Sequence, residues 1–120
     1  MRKNGIMRKI DNRQVQQGDI YWVSLNPTKG HEQQGRRPVL VVSNDIVNTK
    51  LVLALIVPIT STDRGIPLHV EIPNGFPIVG YIKCEEIRAV DLIHRNAEFV
   101  VNCRNEKFFK QCLAIMEGLF

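Results

Sequence analysis

LNPTKGHEQQGRRP, residues 25–38, joins two segments that have the composition of β-strands. Apolar and aromatic residues fill 20–25 before it, and a short β-branched run occupies 39–42 after it. A simple hairpin needs only about two to five connecting residues, so this connection is long, and its proline and glycines set the turns. Long polar loops in small domains are either functional or simply solvated, and length and charge alone leave both interpretations open.

Further strands are predicted on the C-terminal side of this loop. An apolar run at 51–59 has no polar alternation, which predicts a strand buried on both faces. Residues 67–72 alternate, which places His69 and Glu71 on the polar face of a strand, and we interpret His69 as an ordinary structural or surface residue. The other predicted strands are 19–25, 38–43, 78–84, 87–93 and 98–102, and residues 44–50 fit a single helical turn.

The C-terminal end of the chain has helical periodicity instead. Between 104 and 119, one apolar stripe contains Phe108, Cys112, Ile115 and Leu119, and a second contains Phe109, Leu113, Met116 and Phe120. Asn102 or Asn105 is a candidate cap for the start of this helix. Short strands followed by one helix predict a mainly β fold, a small antiparallel barrel with helical additions.

Charge is distributed unevenly along the 120 residues, whose formal net charge is +4. Residues 1–17 contain five Lys or Arg and one Asp, whereas the basic and acidic residues of 18–120 balance. We therefore predict a basic, disordered N-terminal tail at 1–17 and a single domain at 18–120. A basic tail can attract nucleic acid, or it can serve only as a solvated leader.

Cysteine and histidine usage argues against disulfides and metal. The chain has three cysteines without a Cys-x-x-Cys pair, and its three histidines are far apart. We predict a reduced compartment, no metal and no cofactor. No apolar run approaches the ~18 residues of a membrane span, so we expect a cytoplasmic protein without membrane contact.

Five motifs carry a resemblance to a known family. They are GDIYW at 18–22, NPTKGHEQQG at 26–35, RPVLVV at 37–42, PITS at 58–61 and EEIRAVD at 85–91. In this order and spacing they resemble the MazF/PemK toxins, the ribonucleases of bacterial toxin–antitoxin pairs, and HEQQG is similar to the PemK branch in particular. The resemblance covers about 100 residues and leaves out the tail.

The resemblance implies the fold, the activity and the partners. The fold would be the small SH3-like (CcdB/MazF-type) barrel with a C-terminal α-helix, assembled as a homodimer. The activity would be metal-independent, sequence-specific cleavage of single-stranded RNA by attack of a ribose 2′-OH on the adjacent phosphorus. The protein partner would be a cognate antitoxin whose disordered, acidic C-terminal segment covers the RNA groove.

The resemblance also implies which side chains do the chemistry. Arg37 would face the charge of the transition state, because its planar guanidinium suits phosphate oxygens. Thr60 would supply a hydroxyl to the phosphate, Glu85 would be the general base, and His31 would stabilise the phosphate or hold a base. Lys83 stands where the branch carries arginine, so it would act as a point cation or as the general acid.

A second group of residues would bind RNA without reacting with it. We expect this group to consist of Lys29, Glu32, Gln33, Arg36 and Ser61. Glu86 departs from the family, where a neutral residue is usual, and its carboxylate would repel that of Glu85 unless the two side chains point apart. Two alternatives stay open: a gyrase poison of the same fold, as in CcdB, and a barrel that binds RNA without cutting it.

Overall fold

The computed structural model describes residues 14–24, 35–63 and 65–120. Within these residues the chain forms seven strands and two α-helices, and a 3-10 turn at Ile93–Arg95 precedes the last strand. The strands are β1 (Asp19–Ser24), β2 (Arg36–Val41), β3 (Ala54–Thr60), β4 (His69–Glu71), β5 (Tyr81–Lys83), β6 (Arg88–Val90) and β7 (Glu98–Asn102). The helices are α1 (Asp45–Lys50) and α2 (Lys107–Glu117).

All strand pairs are antiparallel, in the order β4-β5-β3-β2-β1-β7, and β6 also pairs with β3. The strand β3 is therefore the centre of the sheet, with β2, β5 and β6 as its neighbours. A mainly β fold with an antiparallel sheet and a C-terminal helix was the fold class predicted from the sequence, and it is confirmed.

Alternation along the strands divides the apolar side chains between two clusters. The helix-side cluster contains Ile20, Leu40 and Ile82 from the strands and packs against Phe109 and Cys112 of α2. The second cluster covers the other face of the sheet and is built from Val15, Tyr21, Val23, Val39, Val41, Ala54, Ile56, Val90 and Leu92. Burying both faces in this way is what allows a chain of this size to hold several very short strands in place.

The predicted strand at 51–59 differs from the observed one in its start and its burial. Observed strand β3 begins at Ala54, and Leu53 and Leu55 are 43% and 41% exposed. Ala54 and Ile56 alternate with them and face the second cluster. The prediction of burial on both faces was wrong for this part of the strand, because nothing in the described chain packs against its outer side.

The ends of both helices were predicted only in part. Asn44 caps α1 by accepting a hydrogen bond from the Val47 amide, which fits the predicted helical turn. The cap of α2 is Glu106, without a side-chain hydrogen bond, so neither predicted asparagine caps it. Asn102 instead donates to Asp19 across the β1–β7 pair, where it holds two strands together.

Packed structure begins ahead of Gly18. Val15 is buried in the second cluster, and the Gln17 side chain donates to the Val42 carbonyl at 2.9 Å. Residues 1–13 lie outside the described part of the chain, so the predicted basic tail stays a prediction. Among the described helices, none combines the length and the apolar character needed to cross a membrane.

Candidate active site

The candidate active site lies where β3 ends beside β5. Thr60 is the last residue of β3 and pairs with Tyr81, and the preceding pair is Ile59 with Ile82. Because Ile59 and Ile82 face the helix-side cluster, Thr60 and Tyr81 project from the opposite face of the sheet. The Thr60 hydroxyl accepts a hydrogen bond from the Thr62 amide at 3.2 Å, which orients it at the strand end.

Gly80 allows the two strands to come this close. A β-carbon at position 80 would lie 2.5 Å from the carbonyl oxygen of Thr60, and the backbone φ of +143° is one that other residues avoid. The glycine therefore determines how near the start of β5 lies to the backbone of Thr60.

Lys83 follows Tyr81 on the same side of β5 and ends that strand, and Glu85 lies in the turn directly after it. Between them, Cys84 is buried in the helix-side cluster and shares a hydrogen bond with Cys112 of α2. That hydrogen bond, and then burial, raise the pKa of the Cys112 thiol, whereas the same hydrogen bond lowers the pKa of Cys84. Both sulfurs lie in the core.

The two adjacent glutamates have different partners. Lys83 Nζ lies 2.7 Å from Glu86 Oε2, whereas Glu85 Oε2 lies 3.1 Å from Nε2 of His69 on β4. The two carboxylates therefore point toward different groups, which is the arrangement in which repulsion between them is small.

His69, which the sequence placed among ordinary structural or surface residues, contacts a predicted site residue. It pairs with Lys83 across β4 and β5, and its side chain is only 3% exposed. No signal near position 69 predicts its contact with Glu85, which is sixteen positions away in sequence and meets the ring only through strand pairing. We refer to Thr60, His69, Lys83 and Glu85 together as the polar edge.

Two buried atoms of the polar edge have no hydrogen-bond partner among the described residues: Glu85 Oε1 and His69 Nδ1. The nearest carboxylate to Nδ1 belongs to Asp63, at 4.0 Å. Because Asp63 and Glu85 approach opposite nitrogens of the ring, the three groups do not converge on one point. Among the described residues, no group of three or more possible metal ligands occurs.

Arg37 approaches the polar edge from β2. The last described pair between β2 and β3 is Val39 with Pro58, and two residues further along each strand toward the loops stand Arg37 and Thr60. Val39 faces the second cluster, so alternation places Arg37 on the same face of the sheet as Thr60. The Arg37 side chain belongs to an exposed residue and is available to a ligand.

The structure describes two of the five predicted RNA-binding residues, Arg36 and Ser61. Arg36 alternates to the other side and pairs with Glu98 of β7 at 3.2 Å, which directs it away from Arg37. Ser61 is exposed directly after Thr60. Lys29, Glu32 and Gln33 lie outside the described residues, as does His31 among the predicted catalytic residues.

The family follows from comparison with known proteins. A family model described as PemK-like, MazF-like toxin of type II toxin–antitoxin system matches residues 16–118. The chain therefore belongs to this family of toxins, as its motifs predicted.

The relatives are consistent with this assignment. The chain is 35% identical over 102 residues to Endoribonuclease PemK of Escherichia coli, an alignment that covers 82% of this chain and 74% of that protein. It is 42% identical over 82 residues to Endoribonuclease EndoA of Bacillus subtilis, covering 64% of this chain and 71% of that protein. These relatives support the predicted enzyme class, an endoribonuclease.

Solved structures support the fold independently. The crystal structure of MazF from Deinococcus radiodurans superposes with a TM-score of 0.75 at 28% identity, over 88% of this chain and 94% of that one. A MazE–MazF complex from the same organism gives a TM-score of 0.73 at 24% identity, which supports the fold alone.

Proposed function

We propose that the protein is the toxin of a toxin–antitoxin pair and an endoribonuclease that cuts single-stranded RNA at the polar edge without a metal ion. The observation that carries the proposal is Oε1 of Glu85, which is buried and has no hydrogen-bond partner among the described residues. A buried carboxylate oxygen without a partner is rare in proteins, and such groups are typical of sites where a ligand completes the hydrogen bonding.

The reaction would be an internal transfer at phosphorus. The ribose 2′ oxygen forms a bond to phosphorus, its proton passes to Glu85, and the bond from phosphorus to the 5′ oxygen breaks. Lys83 would give the leaving 5′ oxygen its proton, and the products are a 2′,3′-cyclic phosphate and a 5′-OH end. No water or redox partner is consumed. Afterwards Glu85 releases its proton to solvent and Lys83 regains one from solvent.

Three further side chains would act on the phosphate. Arg37 would donate from its planar guanidinium to the non-bridging oxygens as negative charge grows in the transition state. Thr60 would donate from its hydroxyl or from neighbouring amides. His31 would contact the phosphate or a base, as the family motif implies.

Binding of RNA would extend from the polar edge along the exposed loop residues. We propose contacts from Lys29, Glu32, Gln33 and Ser61 to the backbone and to splayed bases. Arg36 would have to exchange Glu98 for a phosphate, and an exposed ion pair worth only about 0–1 kcal/mol permits that exchange.

Assembly and partner are also part of the proposal. The outer surface of α1 and the start of β3 exposes Ile46, Leu53 and Leu55, at 70%, 43% and 41%. An apolar surface of this kind is typical of a subunit interface, which supports the predicted homodimer. The antitoxin would cover the cationic surface around Arg37 with an acidic segment that orders on binding.

The test is cleavage of a labelled single-stranded RNA by purified protein in EDTA, with analysis of the ends. We expect 2′,3′-cyclic phosphate and 5′-OH ends, and a loss of about 100-fold or more in kcat/KM for Arg37→Ala. The control is Lys110→Ala, which removes an exposed cation of α2, the helix that packs against the opposite face of the sheet.

Each failure of this test has a different meaning. Binding without cleavage would support the non-catalytic RNA-binding barrel. Inhibition of DNA gyrase without cleavage would support the gyrase poison. Cleavage by Arg37→Ala at the rate of the parent would refute the assignment of the site while leaving the ribonuclease intact.

A further inference from the structure

We propose that His69 is the positioning residue for Glu85, and that it fixes the orientation of the carboxylate by holding one of its two oxygens. The inference deepens the proposed ribonuclease function and depends on it. It assigns a role to a residue that the sequence placed among ordinary structural positions.

The hydrogen bond between His69 and Glu85 has one donor and one acceptor that the proposal defines. A carboxylate that acts as a general base is ionised and can only accept hydrogen bonds, so the proposed role of Glu85 assigns the proton of the 3.1 Å contact to Nε2 of His69. The Asp63 carboxylate, at 4.0 Å from Nδ1, is beyond hydrogen-bond distance. Glu85 is therefore the one hydrogen-bond partner of the ring within the described chain.

The surroundings of the ring restrict its movement. His69 lies in β4 opposite Lys83 of β5, and the flanking Val70 packs in the helix-side cluster. A side chain that is 3% exposed has few alternative rotamers, whereas the Glu85 side chain is 27% exposed and would otherwise rotate. The buried ring is therefore the fixed member of the pair, and Glu85 is the member that is held.

The two oxygens of the Glu85 carboxylate therefore have different surroundings. Oε2 is occupied by the His69 N–H, and Oε1 is buried without a partner among the described residues. A general base acts only when its acceptor oxygen is within hydrogen-bond reach of the proton that it removes. By holding Oε2, His69 would fix the carboxylate in one orientation and reduce the number of unproductive rotamers, and RNA would displace the groups that cover Oε1 when it binds.

Lys83 does not compete for this role. Its ammonium group lies 2.7 Å from Glu86, so in the free protein the base and the proposed acid are held by different neighbours. The pairing keeps Glu85 from being neutralised by a direct contact with the adjacent lysine. His69 is thus the group that determines where Glu85 points, and Glu86 is the group that holds Lys83.

The test compares side chains with and without a donor at the position of Nε2. Gln reaches that position with its amide, whereas Asn is too short and Ala has no donor. We expect kcat for RNA cleavage to fall about tenfold or more in His69→Asn and His69→Ala, with little change in KM, and to be largely restored in His69→Gln. The matched control is His94→Ala, which removes an exposed histidine that pairs with Asp91 at 2.7 Å.

A double-mutant cycle separates positioning from general structural support. In a Glu85→Gln background, His69→Asn should cause little further loss, because its effect is transmitted through Glu85. Equal losses in both backgrounds would overturn the proposal, and so would equal kcat values for His69→Gln and His69→Asn in folded proteins.

A measurement that does not depend on activity keeps the two proposals distinguishable. Nitrogen-15 NMR of the imidazole should show a protonated Nε2 whose signal shifts in Glu85→Gln. If the parent protein does not cut RNA, the proposed function fails whatever the NMR shows. If the parent cuts and Glu85→Gln does not, but His69→Ala retains the parental kcat, only the positioning role fails.

Discussion

Replacement of Gly80 by alanine tests whether the polar edge depends on close contact between β5 and Thr60. The first cost is conformational, because a φ of +143° is one that L-residues avoid, at about 1–3 kcal/mol. The second cost is steric, because the new β-carbon would lie 2.5 Å from the Thr60 carbonyl oxygen and the strands would have to separate. Overpacking of this kind costs about 1–3 kcal/mol, so we expect Gly80→Ala to lower the free energy of unfolding by about 2–6 kcal/mol.

Gly75→Ala is the matched control for this experiment. Its φ of +102° carries a similar conformational cost, but no atom lies within 4 Å of the β-carbon position. The gain that alanine brings by restricting the unfolded chain is the same in both variants, so it cancels in the comparison. Urea unfolding at equilibrium measures both free energies, and RNA cleavage at a temperature where both variants are folded measures the effect on the site. If Gly80→Ala lowers the free energy of unfolding no more than Gly75→Ala does, close contact between position 80 and the Thr60 backbone does not limit stability.

Three further predictions concern stability and binding. The Gln17 amide, and then the Arg104 guanidinium, lower the pKa of Asp45 from 3.8, so its stabilisation is present above about pH 4 and is lost as the pH falls further. Asp45→Asn should therefore lower the free energy of unfolding by up to about 1 kcal/mol at pH 7, and the difference from the parent should vanish near pH 2 in chemical unfolding. Phe109→Ala leaves a cavity at a residue that is 1% exposed, and we expect a loss of about 3–5 kcal/mol in urea unfolding; a loss under 1 kcal/mol would contradict the packing described for α2. Arg36→Ala should raise KM for RNA and leave kcat unchanged in steady-state kinetics, whereas a large fall in kcat would place this arginine at the reacting phosphate.

Local pattern was sufficient to predict most of the elements. Alternation with a period of two at 67–72 predicted a strand, and the structure has β4 within that range. Two apolar stripes with a period of 3.6 at 104–119 predicted a helix, and the structure has α2 within that range. Pattern was less informative at 51–53, where apolar residues precede the strand and stay exposed. Whether an apolar residue is buried depends on what packs against it from elsewhere in the chain, and composition does not contain that information.

The candidate site was also predicted only in part from the sequence. The motifs at 58–61 and 85–91 predicted Thr60 and Glu85, and Lys83 was predicted from its position relative to the family pattern just before the second motif. His69 belongs to no such signature, since its relation to Glu85 exists only when β4 pairs with β5.

By itself the amino-acid sequence determined the class of fold and the family, and it predicted the residues that are proposed to carry the chemistry, because these follow from local periodicity and from short motifs. Only the tertiary structure decided how those residues are paired: His69 with Glu85, Lys83 with Glu86, and Arg36 with Glu98. Such contacts depend on strand register and on burial, which arise when segments distant in sequence pack together.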